Sequence, residues 1–220
     1  MTPKTSGKQP HRSGWHSLHA QVNRFHHLLA RLKTEIYYRR IFGKIGAHCC
    51  IDHPLLLSNP QFVFIGAETM IRPGARIEAV LIDPSRPPVL SIGSNVNIEQ
   101  NVHLICSSSV AIGDRVTITG HCAIVDTVHP CEDIDDGRKI GDRVDPQPSP
   151  VEIGENTFLG FGCVVLPNVR IGKNCIIGAN STVIRDIPDF CVAAGNPAVV
   201  LRRYDHEQKK WIREKDAATV

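Results

Sequence analysis

A chain of 220 residues suits one domain with terminal decoration, and its 42% hydrophobic content is ordinary, but only 5% of residues are aromatic. A core poor in aromatics has to be built from many small aliphatic layers, which points toward repeats. The net charge of +3 argues against a nucleic-acid partner, no apolar run reaches the roughly 18 residues that span a bilayer, and eight irregularly spaced cysteines read as free thiols.

Residues 1–14 are polar, with Lys4, Lys8 and Arg12, and no apolar stretch follows to make a signal peptide. They are expected to be a disordered basic tail, and the protein to be cytoplasmic. Residues 15–47 form an N-terminal helical segment, because Trp15, Leu18, Val22, Phe25, Leu29, Leu32 and Ile36 recur at spacings of three and four. Arg24, Arg31, Lys33, Arg39 and Arg40 lie between them, and Glu35 is the one acid before residue 50. Such a basic amphipathic helix can cap the open end of a repeat stack, pack in an oligomer, or touch an anionic membrane peripherally from its inner face through residues 15–41. The pattern leaves all three open.

From Ile65 onward an aliphatic residue recurs every six positions. The runs are Ile65, Ile71, Ile77; then Ile92, Ile98, Leu104; then Ile112, Ile118, Ile124; then Ile153, Leu159, Val165, Ile171, Ile177, Val183. Gly follows several of them, and four residues on comes a small or β-branched side chain such as Thr69, Ala75, Val96, Cys122, Thr157, Cys163, Cys175 or Ser181. Period six is neither helical nor a plain alternation. It fits a coil with three flat faces, each contributing one large and one small inward residue, with Gly supplying unusual backbone conformations at the corners. Coils of this kind stack about 4.8 Å apart into a solenoid over residues 48–200. The inward cysteines then read as small buried hydrophobes. Cys49, Cys50 and Cys131 have no readable task.

Three interruptions break the period: residues 83–90, Cys106–Ser109, and a polar loop over residues 130–150. Solenoid insertions map to loops, and loops carry function. The long loop opens with Asp126-Thr127-Val128-His129-Pro130, which puts His129 at a face edge. Imidazole can take the proton of a hydroxyl as that oxygen attacks and return it to a leaving group. Asp126 is either an orienting carboxylate for that ring or a plain corner residue.

The repeat [LIV]-G-x-x-[STAVC]-x, the Asp126-x-x-His129 segment with its loop, and the closing run Ile177-Gly-Ala-Asn-Ser-Thr-Val-Ile-Arg-Asp-Ile-Pro188 followed by Ala194-Gly-Asn-Pro-Ala198 resemble the hexapeptide-repeat acyltransferases. The likeness is to the maltose, galactoside, nodulation-factor and surface-polysaccharide O-acetyltransferases and covers about residues 62–205. It implies an all-β solenoid, a left-handed parallel β-helix. It further implies a homotrimer with sites between subunits, acetyl-CoA as acyl donor, no metal, and a saccharide hydroxyl as acceptor. Carried over residue by residue, His129 is the general base and Asn101 a partner from about one coil earlier. Gly160 and Phe161 contact the thioester, with the Phe161 N–H as oxyanion donor. Ala179 lines the pantetheine arm, Arg185 and Arg202 face the phosphates, and Pro197 turns the chain toward the nucleotide. Phe161 stands where Ser or Ala is usual, and Val199 where Arg or Lys is, so the channel shape and phosphate contacts depart from the pattern. Residues 201–220 are expected to form a C-terminal tail with a short helix from Tyr204 to Lys215.

An amine on a sugar or antibiotic is an alternative acceptor, since the same base serves. A metal-dependent β-helical enzyme of the carbonic anhydrase kind is a more distant alternative, using His103, His121 and His129. An inactive structural prism is the remaining one.

Overall fold

A computed structural model describes residues 14–214, so the expected tail over 1–14 lies almost wholly outside the described residues. Helix α1 spans Gly14–Lys33 and runs on through a wider turn at Thr34–Tyr38 and a last turn at Arg39–Ile41. It is fixed at its C-terminal half. Ala30, Thr34, Tyr38 and Phe42 are buried, and the Thr34 hydroxyl accepts the N–H of Ile51 while donating to the Ala30 carbonyl.

The remainder is a stack of short strands in three sheets, entered in strict rotation by the chain. The first sheet collects Lys44–Ile45, Val63–Ile65, Val89–Ile92, Ser109–Ile112, Val151–Ile153 and Val169–Ile171. The second begins at Cys50–Ile51 and runs through Met70–Ile71, Asn97–Ile98, Thr117–Ile118, Phe158–Leu159 and Ile176–Ile177. The third holds Leu56–Ser58, Arg76–Ala79, His103–Cys106, Ala123–Val125, Val164–Val165 and Thr182–Val183. Pairing within each set is parallel and in register, so identical positions stack: Ile65 over Ile92, Ile71 over Ile98, Ile77 over Leu104. These side chains and their successors are at most 3% exposed and form the core. The small inward positions are buried as well, Cys122, Cys163 and Cys175 among them.

The recurrent glycines serve a different purpose from the one expected. Gly93 and Gly154 have ordinary negative φ, but a Cβ on Gly93 would lie 2.7 Å from the Asp114 nitrogen, and one on Gly154 2.5 Å from that of Lys173. Close coil-to-coil approach excludes a side chain there. The left-handed conformation falls two residues later, on Asn95 (φ 55°), Asn156 (57°) and Asn174 (53°). Asparagine tolerates it because its short polar side chain bonds locally.

Among the described residues no C-terminal helix forms. Instead Cys191–Gly195 joins the second sheet in parallel, Ala198–Asp205 pairs antiparallel to it, and Lys210–Arg213 closes a hairpin. The last parallel strand would otherwise present an open row of backbone donors and acceptors, and the returning chain covers it. Val199, Val200, Tyr204, Trp211 and Ile212 favour strand. Tyr204 and Trp211 make a cross-strand aromatic pair with ring centroids 5.4 Å apart, and the turn is held by Asp205 accepting the N–H groups of Glu207 and Gln208. Tertiary pairing overrode helical spacing.

All three interruptions leave the stack at the same edge, where the third sheet hands over to the first: between Ala79 and Val89, Cys106 and Ser109, and Val125 and Val151. Uninterrupted coils pass that edge with one left-handed asparagine, Asn59 or Asn168.

Candidate active site

His129 stands where the chain leaves the third sheet into the long loop, and its side chain is exposed. Its Nδ1 lies 2.8 Å from the carbonyl oxygen of Arg143. A carbonyl can only accept, so Nδ1 carries the hydrogen and Nε2 keeps a free lone pair. The backbone of the long loop therefore sets the tautomer and aim of the ring.

Arg143 was not singled out from the sequence. Its side chain is buried and ties the loop together, donating from Nε and Nη2 to the Arg138 carbonyl and from Nη1 to the Asp133 carbonyl. Asp136 stands 3.5 Å from the Arg143 Nε, and hydrogen bonds from Arg138 hold its carboxyl down to about 2. One of two arginines in a polar insertion carries no pattern that announces such a hub. Further ties reach the stack, with the Asp145 N–H on the Val128 carbonyl and the Ser149 N–H on the Ser108 hydroxyl.

Asp126 does not orient the imidazole. It is fully buried, and its two oxygens accept the N–H groups of Ser107, Ser108 and Ser109 and the hydroxyls of Ser107 and Ser108. Those are the residues of the short Cys106–Ser109 irregularity, so Asp126 stabilises one insertion at the root of another. Burial pushes the neighbouring Cys106 thiol up, and the Asp126 charge adds to that. Thr127, two residues before His129, has a buried hydroxyl without a partner among the described residues. Beside this root lies a cleft of about 180 Å³ lined by Ile82, Asp83, Arg86, Pro87, Ser107–Ser109, Pro146 and Pro148, so residues of all three insertions meet.

Asn101 is elsewhere. It occupies the left-handed corner between the second and third sheets, with its Nδ2 3.3 Å from Nε2 of His121 in the next coil. The expected pairing with His129 does not occur within one chain, because the two sit on different edges of the prism. His121 in turn packs on the Phe161 ring, centroids 5.0 Å apart. Of the three histidines of the metal alternative, His103 lies on the third sheet, His121 at the corner that enters it and His129 at the edge that leaves it. Among the described residues no three His, Cys, Asp or Glu side chains come together as a metal ligand set.

The other carried-over residues divide into two groups. Gly160, Phe161 and Ala179 share the corner of Asn101 and His121 on successive coils. The Gly160 N–H is spent on the Ile177 carbonyl, and a Cβ there would lie 2.6 Å from the Ala179 nitrogen. Gly160 thus serves the stack by having no side chain. The Phe161 ring is exposed, and its N–H makes no hydrogen bond among the described residues. Arg185, Pro197 and Arg202 are exposed near the C-terminal end, Pro197 in the turn between Gly195 and Ala198 and Arg202 opposite Val192 and Arg213.

Residues 150–185 match the family model described as bacterial transferase hexapeptide (six repeats). The galactoside O-acetyltransferase of Lactococcus lactis is 38% identical over 125 residues, 53% of this chain and 58% of that protein. A protein of Escherichia coli K12 named for an O-acetyl transfer step of lipopolysaccharide biosynthesis, WbbJ, is 29% identical over 187 residues, 82% of this chain and 91% of its own. The chain thus spans just under three fifths of the Lactococcus enzyme's length. Among solved structures, a hexapeptide-repeat acetyltransferase of Vibrio cholerae complexed with acetyl coenzyme A superposes with a TM-score of 0.54 at 20% identity, over 90% of this chain and 92% of that one. The chain carries the hexapeptide repeat and resembles the sugar O-acetyltransferases in sequence and the acetyltransferase prism in fold.

Proposed function

We propose that the chain is an acetyl-CoA-dependent O-acetyltransferase acting on a saccharide hydroxyl, in the setting of a cell-surface polysaccharide or lipopolysaccharide precursor. Its three-sheet stack is wound left-handed and works as a homotrimer. The observation that carries the reading is His129: exposed at the mouth of the long loop, with Nδ1 tied to the Arg143 carbonyl and Nε2 left as base. The separation of edges supports an assembly of copies: the base sits on one edge and Phe161 and Ala179 on another, so a neighbouring copy would bring the two together.

In this reading Nε2 of His129 takes the proton of the acceptor hydroxyl as its oxygen bonds to the thioester carbonyl carbon. The Phe161 N–H stabilises the resulting oxyanion, and loss of one such donor typically costs about 3 kcal/mol. Collapse breaks the carbon–sulfur bond, and the imidazolium gives the proton to the departing thiolate. No acyl-enzyme forms. Ala179 lines the pantetheine arm, Arg185 and Arg202 face the phosphates, and Pro197 shapes the turn beside them.

The test is release of free thiol from acetyl-CoA in the presence of sugars, amino sugars and lipid-linked saccharides, with wild type and His129→Gln. Turnover with a hydroxyl acceptor that falls about 10²–10⁴-fold in the variant supports the reading. Activity retained within tenfold, or confined to amine acceptors, overturns it.

A further inference from the structure

The helix that closes the N-terminal end of the stack has two opposed faces. Ala30, Thr34 and Tyr38 are buried against the first coil, at 3%, 0% and 2% exposure. Leu18, Val22, Phe25, Leu29 and Leu32 lie on the other side at spacings of four, three, four and three, each 43–57% exposed, and Leu28 widens the strip. Folding buries apolar surface, yet this face is turned away from its own core.

Charge says what covers it. Helix α1 contains Arg24, Arg31 and Lys33 and no acid; Arg39 and Arg40 follow, and the single acid, Glu35, is bound by Arg39 at 2.8 and 2.9 Å. Up to Ile51 the chain holds nine Lys or Arg against one acid, whereas the remaining residues hold sixteen against twenty-one. Pairing this face with its counterpart on a second copy would bring like charges together without a compensating carboxylate. An anionic surface complements it. No described helix is long and apolar enough to cross a membrane, so the mode left is lying in the interface with the apolar strip down and the cations at headgroup level.

We propose that α1 is a lipid-docking element that seats the prism on an anionic phospholipid surface, with Leu18, Val22, Phe25, Leu29 and Leu32 entering the headgroup–acyl boundary and Arg24, Arg31 and Lys33 meeting phosphates. The helix holds the stack by its opposite face, so docking requires no rearrangement of the core. This does not depend on the chemistry at His129.

The experiment is co-sedimentation of the full chain with vesicles of phosphatidylcholine alone and with phosphatidylglycerol added, alongside sedimentation velocity without lipid. Wild type is expected to associate at least about tenfold more strongly with the anionic vesicles and to weaken with salt. Arg24→Glu with Arg31→Glu should lower that association at least tenfold, at about fivefold per cation removed. Phe25→Glu with Leu29→Glu should abolish it, with assembly state and thermal midpoint unchanged. Equal binding to neutral vesicles, binding that survives either pair, or a fall in assembly state on mutating Phe25 and Leu29 overturns the proposal, the last assigning the face to a second copy. Acetyl-CoA turnover, read separately, keeps this failure distinct from failure of the catalytic reading.

Discussion

Replacing Asp126 separates structural from catalytic roles at the root of the long loop. The buried carboxylate satisfies three backbone N–H groups and two hydroxyls. In Asp126→Ala the hydroxyls can turn elsewhere but the amides cannot. Three orphaned donors at about 1–3 kcal/mol each, partly relieved by water entering near Ser109, give a loss of about 3–6 kcal/mol. Against a total of about 5–15 kcal/mol this is severe. For a domain of this size, at about 2–4 °C per kcal/mol, it lowers the thermal midpoint by about 6–24 °C. Asp126→Asn is milder. Its oxygen can serve Ser108 and Ser109, while its NH₂ faces the Ser107 N–H, so one donor is lost and the cost is about 1–3 kcal/mol. Differential scanning calorimetry and acetyl-CoA turnover per folded molecule are the assays. The Asn variant should keep its kcat within about threefold while its midpoint falls. A variant with unchanged midpoint and turnover reduced a hundredfold would show that the carboxylate acts on the imidazole, against the geometry described.

Arg143→Ala removes the side-chain bonds to Asp133 and Arg138 and frees the carbonyl that aims His129. kcat should fall at least about tenfold with little change in thermal midpoint, and limited proteolysis should cut residues 133–143 faster. Gly160→Ala places a Cβ 2.6 Å from the Ala179 nitrogen and 2.8 Å from the Ile177 oxygen. Both contacts are backbone, so the coil must spread, at about 1–3 kcal/mol in a denaturation titration. A thiol reagent should modify Cys131 rapidly and the other seven cysteines only on unfolding, since all seven are buried.

The stack was legible because its rule is local. Each hexad repeats one large and one small inward residue, and a single period places Ile65, Ile71 and Ile77 on three faces without knowledge of distant contacts. The glycines were found for the wrong reason: spacing marks a position, and only the neighbouring coil shows that a Cβ has no room at Gly93. The C-terminal hairpin was missed because its cause, an open sheet edge at Cys191–Gly195, exists only after the stack has formed. His129 was marked by its place at the mouth of an insertion. What aims it was not, because the Arg143 carbonyl is a backbone atom fourteen residues on, and Asp126, the obvious sequence neighbour, is turned inward to Ser107–Ser109.

Grouping every insertion on one edge leaves the other two corners and all three faces free of interruption. Length, sequence and pocket shape along that edge can therefore change without breaking the ladder of coil-to-coil bonds or disturbing an aliphatic column. Loop exchange between Ile82 and Pro87 or between Pro130 and Pro148 should yield folded proteins far more often than substitution at Ile98 or Leu104, and under the proposed function new acceptor preferences would follow at small thermodynamic risk. A scaffold arranged this way lets selection explore chemistry at its rim while its interior stays constant.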